Sequence, residues 1–387
     1  MGHDSLYHIS STEAIIESLK SGNFNLDILP TVAYDFGYGS GMFYSQIFHL
    51  CSALFFFLTG DLILSVKLVH IIVYFLTGCV FYILLKNLTK NPLVSLLGAF
   101  LYLSAPYHLA DHLVRDAETE VMVFLFIPLI LNSFFHLINN RKYRFLPLFA
   151  IGYSGLFLSN SAIAIFFTIF LALSLLLNYR ITFQRGFIRP FLKAIILVIL
   201  LVFPYYLNLI QHRSATEYVV FSEQTTNNNY YYLSTSTTSL DKLLIPESSN
   251  DYLYIPLTLN LIVVFGLIFC VLKFLLQRSS INPVKAYFIK LLFPLTLCSL
   301  LCILPIFPWK FLPSFLTPLQ FAWRLETILL PTLIILAVIF LPEIKPLPIR
   351  YVSLAICFIS CFYYPTLVQH DYPMEYAPFA ELPDYYG

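Results

Sequence analysis

The sequence predicts an all-α membrane protein, a polytopic bundle of about ten transmembrane helices. Three observations predict this class. Of the 387 residues, 59% are hydrophobic and only 11% are charged, with a mean hydropathy of +0.78, unlike soluble globular domains. Continuous apolar runs of about 20 residues recur, each long enough to cross roughly 30 Å of hydrocarbon as a helix. Basic residues concentrate in alternate connections between these runs, which is the pattern of a multi-pass protein.

The predicted spans are bounded by polar or charged connections. They are residues 63–86, 92–108, 120–138, 145–159, 160–178, 190–208, 255–277, 285–306, 324–342 and 350–368. Segment 41–60 is also long enough to cross. Counting it as a span, however, would reverse the side of every later connection.

Charge decides how segment 41–60 is interpreted. If it does not cross, 15 of the 22 basic residues share one face, which the positive-inside rule makes cytoplasmic. The other face then holds 20 of the 21 acidic residues, all except Glu343. Segment 41–60 is therefore predicted to lie on, or dip into, the outer leaflet of the plasma membrane. Because this places the opening "GHD" outside the cytoplasm, we expect a first transmembrane helix to be missing from this chain.

The same topology divides the chain into regions. They are a first extracytoplasmic loop with membrane-surface helices (1–62), an N-terminal transmembrane module (63–208), a large extracytoplasmic loop (209–254), a C-terminal transmembrane module (255–368) and an extracytoplasmic tail (369–387). The long polar connections all lie on the outer face. Any chemistry is therefore expected there, where ATP and sugar nucleotides are absent.

The first outer loop is predicted to carry a helix lying on the membrane over residues 10–21. Ser10 and Glu13 have the spacing of a capping box, and Gly22 can end the helix. This helix would fix Asp4 just above the interface. The glycines of "GYGSG" at 37–41 follow no predicted strand and precede no lysine, which argues against a phosphate-binding loop.

The second outer loop, "YHLADHLVRDAETEV", concentrates charge at residues 107–121. On a continuous helix, Asp111, Arg115 and Glu118 would form one stripe, and His112, Asp116 and Glu120 a neighbouring one. A solvated loop with a weak surface ion pair is the simpler alternative. Function is favoured because Glu120 begins a span, and an acid at a membrane boundary usually has a partner or a cavity.

Metal binding by this loop is a further alternative. His108 and His112 with Asp111 could form a zinc site, but no third histidine is in register. All seven cysteines fall in apolar runs and indicate buried thiols rather than metal ligands or disulfides.

Another charged stretch, "PLQFAWRLETILL", places Arg324 at the head of a span beside Trp323. Both residues are common interface anchors, and this reading stays open. However, only seven of the 22 basic residues lie on the outer face. A phosphate ligand there would have few arginines to choose from, and Arg115 and Arg324 are the two at span boundaries.

These stretches together resemble a known group. "GHDSLYHIS", "GYGSGMFY", "LYLSAPYHLADHLVRDAETE" and "LQFAWRL", in this order, resemble bacterial integral membrane proteins often labelled 6-pyruvoyl-tetrahydropterin synthase related. More distantly, they resemble the GT-C membrane glycosyltransferases. The resemblance extends over nearly the whole chain. It implies no pterin chemistry, because no compact soluble domain with a zinc-binding histidine triad is present.

The GT-C resemblance implies membrane-surface helices on the outer face and a sugar donor carried on a polyprenyl phosphate. It implies transfer of that sugar, with inversion, to a glycan, lipid or protein acceptor on the extracytoplasmic face, with no nucleic-acid partner. The implied catalytic residues are Asp4 and His3. The implied substrate-binding residues are Arg115, Asp116, Glu120, Gln320 and Arg324. No cofactor is required by this reading, but a divalent metal (Mg²⁺ or Mn²⁺) held by Asp4, Asp111 and Glu118 is left open.

The sequence departs from the pattern of that group at three positions. Ala322 stands where proline is expected, Thr119 where glycine precedes the acid, and Asn160 where a serine-histidine pair is typical. Two other functions therefore remain: a transporter or flippase of polysaccharide intermediates, and a non-catalytic scaffold in cell-surface assembly. A transporter would carry polar or broken helices at mid-membrane depth, where this sequence has almost no charge.

Overall fold

A computed structural model describes residues 2–32, 36–140, 143–180, 188–215, 218–244, 259, 261–276 and 281–343. The helices are α1 (Ser5–Lys20), α2 (Ile47–Thr59), α3 (Leu62–Thr89), α4 (Pro92–Leu103), α5 (Pro106–Ala110), α6 (Glu118–Asn140), α7 (Leu146–Ser159), α8 (Ser161–Leu177), α9 (Ile188–Ala215), α10 (Glu223–Thr235), α11 (Leu240–Leu244), α12 (Leu261–Leu276), α13 (Pro283–Ile303) and α14 (Glu326–Val338). A π-helical turn, Asp111–Arg115, follows α5. The short 3₁₀ turns are Gly39–Met42, Tyr143–Phe145, Val219–Phe221, Trp309–Phe311, Ser314–Leu319, Ala322–Leu325 and Leu341–Glu343.

Two helices form the centre of the bundle. The protein buries 83% of the 18-residue apolar stretch of α6 and 89% of that in Ala322–Glu343, the segment that contains α14. In α3 the buried share of the corresponding stretch is only 33%. Helix α6 packs against α3 and α7, while α14 packs against α4, α12 and α13. Because α6 and α14 also contact each other, charged residues at their first turns are held inside the protein.

The chain is an all-α, multi-pass membrane protein, as predicted, but ten spans are not confirmed. Five segments are long and apolar enough to cross, namely Leu62–Thr89, Glu118–Ile138, Phe191–Ser214, Pro283–Ile303 and Ala322–Glu343, and a sixth is possible if Pro92–Leu103 and Pro106–Arg115, bent by 53°, form one span. Helices α7 and α8 have 14 and 17 residues, so they reach only about 21 and 26 Å. The predicted span 255–277 is only partly described, and the span 350–368 and the tail 369–387 lie outside the described residues.

Segment 41–60 contains a helix of only 13 residues, α2, which ends at Gly60 with φ +71°. A helix of this length reaches about 20 Å, short of the roughly 30 Å of hydrocarbon. It packs against α1 and α3. Its length is consistent with a helix that does not cross.

The predicted start of α1 is wrong by five residues. The helix begins at Ser5 rather than near Ser10, and the Ser10 hydroxyl donates to the Tyr7 carbonyl instead of capping a helix end. The predicted end at Gly22, with φ +79°, is confirmed. The earlier start places Asp4 at the N-cap position of α1.

The opposite end of the bundle holds a small ion-pair cluster. Lys273 Nζ lies 2.6 Å and Lys285 Nζ 2.8 Å from the Glu343 carboxylate. This brings together the end of α12, the start of α13 and the end of the segment that contains α14. The relative direction of these three helices is the one that the alternating topology requires.

We expect cysteines introduced in two connections, one before the first predicted span and one after the third, to report opposite sides of the membrane. Asp61→Cys should react with a membrane-impermeant thiol reagent added outside intact cells, and Arg144→Cys only after the cells are opened. Both parent residues are exposed, so the cysteines would be accessible to reagent, and the unmodified chain controls for its own thiols. Labelling of Asp61→Cys only from the cytoplasmic side would show that segment 41–60 crosses.

Candidate functional site

The chain start is docked onto the loop that precedes α6. The backbone N–H of His3 donates to the Val114 carbonyl (3.0 Å) and that of Asp4 to the Arg115 carbonyl (2.9 Å). Gly2 lies so close that a Cβ there would be 2.7 Å from the Val114 oxygen. Its N–H donates to the Asp116 carboxylate (2.8 Å). These bonds carry Asp4 to the head of α6, more than a hundred residues away in sequence.

The π-helical turn gives Arg115 its position. The turn ends at Asp116, whose φ of +51° redirects the chain before α6 begins. The Arg115 guanidinium lies 2.5 Å from Asp111 Oδ1 and 3.0 Å from Glu120 Oε1. Tyr107 donates its phenolic hydrogen to the other oxygen of Glu120. All four side chains are buried, so the ion pairs are protected from screening by salt.

Arg324 approaches the same carboxylate from the 3₁₀ turn that precedes α14. Its Nε lies 3.0 Å from Glu120 Oε1, and its Nη1 donates to Gln320 Oε1 (3.1 Å) and to the Leu319 carbonyl (3.1 Å). The guanidinium also lies over the Phe321 ring, 5.2 Å from its centroid. The Arg324 side chain is 18% exposed and that of Arg115 only 6%. Of the two arginines, Arg324 is therefore the more accessible to a ligand.

Asp4 lies at the exposed edge of this cluster. Loss of hydration in the surrounding protein raises the pKa of its carboxyl, while the charges of Arg115 and Arg324 act to lower it. Tyr44 is beside it. Burial raises the pKa of the Tyr44 phenol, which hydrogen-bonds with Thr119, so the phenol remains protonated at neutral pH. An accessible carboxylate next to two guanidinium groups can accept a proton while the arginines hold an anion.

The structure thus brings together most of the residues predicted to bind substrate: Arg115, Glu120, Gln320 and Arg324, with Asp4 at the edge. Asp116 instead anchors the chain start, accepting hydrogen bonds from Gly2 and Ser5.

The predicted helical stripes are only partly formed. The Asp111–Arg115 pair is present, but Glu118 does not join it, and Asp116 and Glu120 do not share a stripe with His112. The reason is that the π-helical turn and the left-handed Asp116 interrupt the helix between residues 115 and 118. The charged residues of this loop therefore belong to two separate clusters, one on each side of α6.

Glu118 and Glu120 point in different directions. Residues two positions apart in an α-helix, as Glu118 and Glu120 are, lie about 200° apart around the helix axis, because each residue advances the helix by about 100°. Glu120 faces the arginines, whereas Glu118 faces three histidines. Glu118 lies 3.1 Å from His8 Nδ1, 3.5 Å from His49 Nε2 and 3.7 Å from His70 Nε2.

This histidine cluster was not predicted. The three histidines come from α1, α2 and α3, so no local spacing connects them. Burial lowers the pKa of His8 to about 2, helped by His49 and His70, and that of His49 to about 4. Both imidazoles are therefore neutral at physiological pH.

Among the described residues, one group of three converging ligand atoms has the spacing of a metal site: His8, His49 and Glu118. The predicted set of Asp4, Asp111 and Glu118 does not form such a group, because Asp111 is paired with Arg115 and Asp4 lies on the arginine side. The alternative built on His108 and His112 does not form one either. The His108 Nδ1 lies 2.9 Å from the Tyr102 carbonyl oxygen.

Comparison with known proteins finds one family. Residues 1–280 match the model described as "Family of unknown function (DUF6541)". The matched part contains Asp4, Arg115, Glu120 and the histidine cluster, and it ends before Arg324. A comparison with curated proteins finds no match.

Proposed function

This chain belongs to the DUF6541 family, and we propose that it is a membrane glycosyltransferase of the GT-C type. It would move a sugar from a polyprenyl phosphate to an acceptor hydroxyl on the extracytoplasmic face of the plasma membrane. The observation that carries the proposal is the exposed Asp4 carboxylate, held by backbone hydrogen bonds beside the Arg115–Glu120–Arg324 cluster. It supplies a proton acceptor and an anion-binding group at one end of the bundle.

The proposed reaction uses these groups in one displacement. The acceptor hydroxyl gives its proton to Asp4 as its oxygen forms a bond to the anomeric carbon of the donor sugar. On the opposite side of that carbon, the bond to the phosphate oxygen breaks, and the configuration inverts. The phosphate leaves with the bonding electron pair. An arginine already fixed near this position stabilises the growing negative charge without having to reorganise.

Arg324 is the better candidate for the phosphate. The Arg115 guanidinium already contacts both Asp111 and Glu120 and is almost fully buried. Arg324 contacts Glu120 through Nε and is three times as exposed. In this proposal, Glu120 and Gln320 orient the Arg324 side chain, which then faces the lipid headgroup.

The direct test is turnover by the purified full chain in lipid nanodiscs. Supplied with polyprenyl-phosphate sugars and a panel of glycan, lipid and peptide acceptors, the protein should release polyprenyl phosphate and form a glycosylated acceptor. Binding of the lipid without release, across all donors and acceptors, would contradict the proposal and favour a transporter or scaffold. Movement of labelled lipid between leaflets would then separate these two.

Substitution of Arg324 by lysine separates phosphate binding from anchoring at the interface. Both residues anchor a helix end, but only arginine can grip a phosphate with two parallel hydrogen bonds. We expect Arg324→Lys to fold normally and to bind polyprenyl phosphate at least about tenfold more weakly, the loss of roughly one charge-assisted hydrogen bond. Binding measured by titration in nanodiscs checks this.

Arg213→Lys is the matched control, because Arg213 is exposed at the end of α9, where it lies over the Phe221 ring. It should bind the lipid as the parent does. If Arg324→Lys also binds as tightly as the parent, Arg324 is an anchor, and Arg115 becomes the remaining candidate for the phosphate.

A further inference from the structure

The side of α6 opposite the arginines carries a compact set of ligand atoms. His8 Nδ1, His49 Nε2 and Glu118 Oε2 form a triangle with sides of 3.0, 3.1 and 3.5 Å. All three residues are almost completely buried, with at most 1% of each side chain exposed. Burying a carboxylate and two imidazoles together is costly unless something satisfies them.

Hydrogen bonding alone does not account for this arrangement. Glu118 Oε2 makes no hydrogen bond within the described part of the chain, although His8 Nδ1 is only 3.1 Å away. The two imidazole nitrogens face each other at 3.0 Å, and a single hydrogen between them can satisfy that pair only. One such hydrogen bond leaves the Glu118 oxygen without a partner, although all three atoms lie within 4.8 Å of one another, as the ligands of one ion do.

The spacing agrees with that of a zinc site. Ligand atoms at about 2.0–2.1 Å from one Zn²⁺ ion, at tetrahedral angles, are about 3.3–3.4 Å apart. The three observed separations bracket this value. Two histidines and one glutamate are also a donor set that Zn²⁺ uses in proteins, with the fourth position left for water or another ligand. His70 Nε2 is 3.7 Å from the other Glu118 oxygen, so a third imidazole lies beside the carboxylate without a hydrogen bond to it.

We infer that His8, His49 and Glu118 bind one zinc ion. The ion would join three elements that are far apart in sequence, because His8 lies on α1, His49 on α2 and Glu118 at the start of α6. It would thereby fix the two membrane-surface helices to the central helix. The inference concerns metal content and stability and does not depend on sugar transfer.

The ion would also act on the position of Asp4. Asp4 lies one helical turn before His8, and the His8 N–H donates to the Asp4 carbonyl (3.2 Å). Fixing His8 fixes the first turn of α1. The zinc is therefore a positioning ion: it lies on the other side of α6 from the arginines and holds the helix that carries Asp4.

Zinc content of the full chain tests the inference. Protein purified without chelator and exchanged into metal-free buffer should contain about one zinc per chain by mass spectrometry of the metal. Its unfolding midpoint should fall by about 5 °C or more after chelator treatment, and added Zn²⁺ should restore it. A parent chain that takes up no zinc from buffer containing Zn²⁺, with an unchanged midpoint, would overturn the inference. Retention of Mg²⁺ or Mn²⁺ in its place would overturn the assignment to zinc.

Two variants locate the ion. His49→Gln and Glu118→Gln should each lower zinc affinity at least about tenfold, whereas His212→Gln, at a partly exposed histidine paired with Asp27, should keep the parent's zinc content. If both variants keep one tightly bound zinc, the ion is elsewhere and the assignment fails. Should a variant not fold, Co²⁺ bound to the parent decides: a tetrahedral visible spectrum supports the site, and an octahedral one contradicts it.

Discussion

Replacement of Asp4 by asparagine is expected to lower the rate of sugar transfer by about 100- to 10,000-fold, which is the usual effect of removing a general base. Asparagine has nearly the same shape and keeps the backbone hydrogen bonds that dock the chain start, but its amide cannot accept the acceptor's proton. Donor binding should be nearly unchanged, because the arginines are untouched. Release of polyprenyl phosphate in nanodiscs measures the rate, and lipid titration measures binding.

Asp61→Asn is the matched control for this experiment. Asp61 is an exposed carboxylate that caps α3 by accepting from the Leu64 N–H (2.9 Å), and asparagine caps a helix equally well. The control should retain the parent's rate and the same unfolding midpoint. Parent-like turnover by Asp4→Asn would remove Asp4 from the reaction and leave a scaffold or a different base to be considered.

The second large effect is expected on stability, at Glu120. Its carboxylate lies between the guanidinium groups of Arg115 and Arg324 and accepts a hydrogen bond from Tyr107. Glu120→Gln removes the negative charge and leaves two cations facing each other in a buried region. Breaking a buried pair from one side costs about 3–5 kcal/mol, mainly through the uncompensated charge that remains. The free energy of unfolding in mixed micelles, or the thermal midpoint, measures this loss.

Glu326→Gln provides a stringent comparison, because Glu326 is equally buried at the start of α14. Neither of its side-chain oxygens has a hydrogen-bond partner within the described part of the chain. A buried carboxyl without partners is most stable in its neutral form, which an amide resembles. This variant should therefore change the free energy of unfolding by less than about 1 kcal/mol. If both substitutions lowered the free energy of unfolding equally, the charge of Glu120 would not be needed to stabilise Arg115 and Arg324 in the buried cluster.

Much of the membrane architecture could be predicted from composition and the placement of charge. Hydropathy is a local property, so apolar runs such as Leu62–Thr89 and Pro283–Ile303 can be recognised as candidate membrane spans without knowing which helices they pack against. The same holds for Gly22 at the end of α1 and for the Asp111–Arg115 pair, whose partners are four residues apart. Composition also predicts spans at short helices such as α7, because apolar residues do not reveal where a helix stops.

The sequence by itself determined that the chain is a helical membrane protein and that its charged residues collect at span boundaries. Only the tertiary structure decided which of those residues meet. Arg324 joins Glu120 because α6 and α14 begin at the same end of the bundle, and Glu118 turns toward His8 and His49 because it lies on the other side of α6. The physical reason is that helical periodicity reaches three or four residues along the chain, whereas the contacts that make both clusters depend on how separate helices pack.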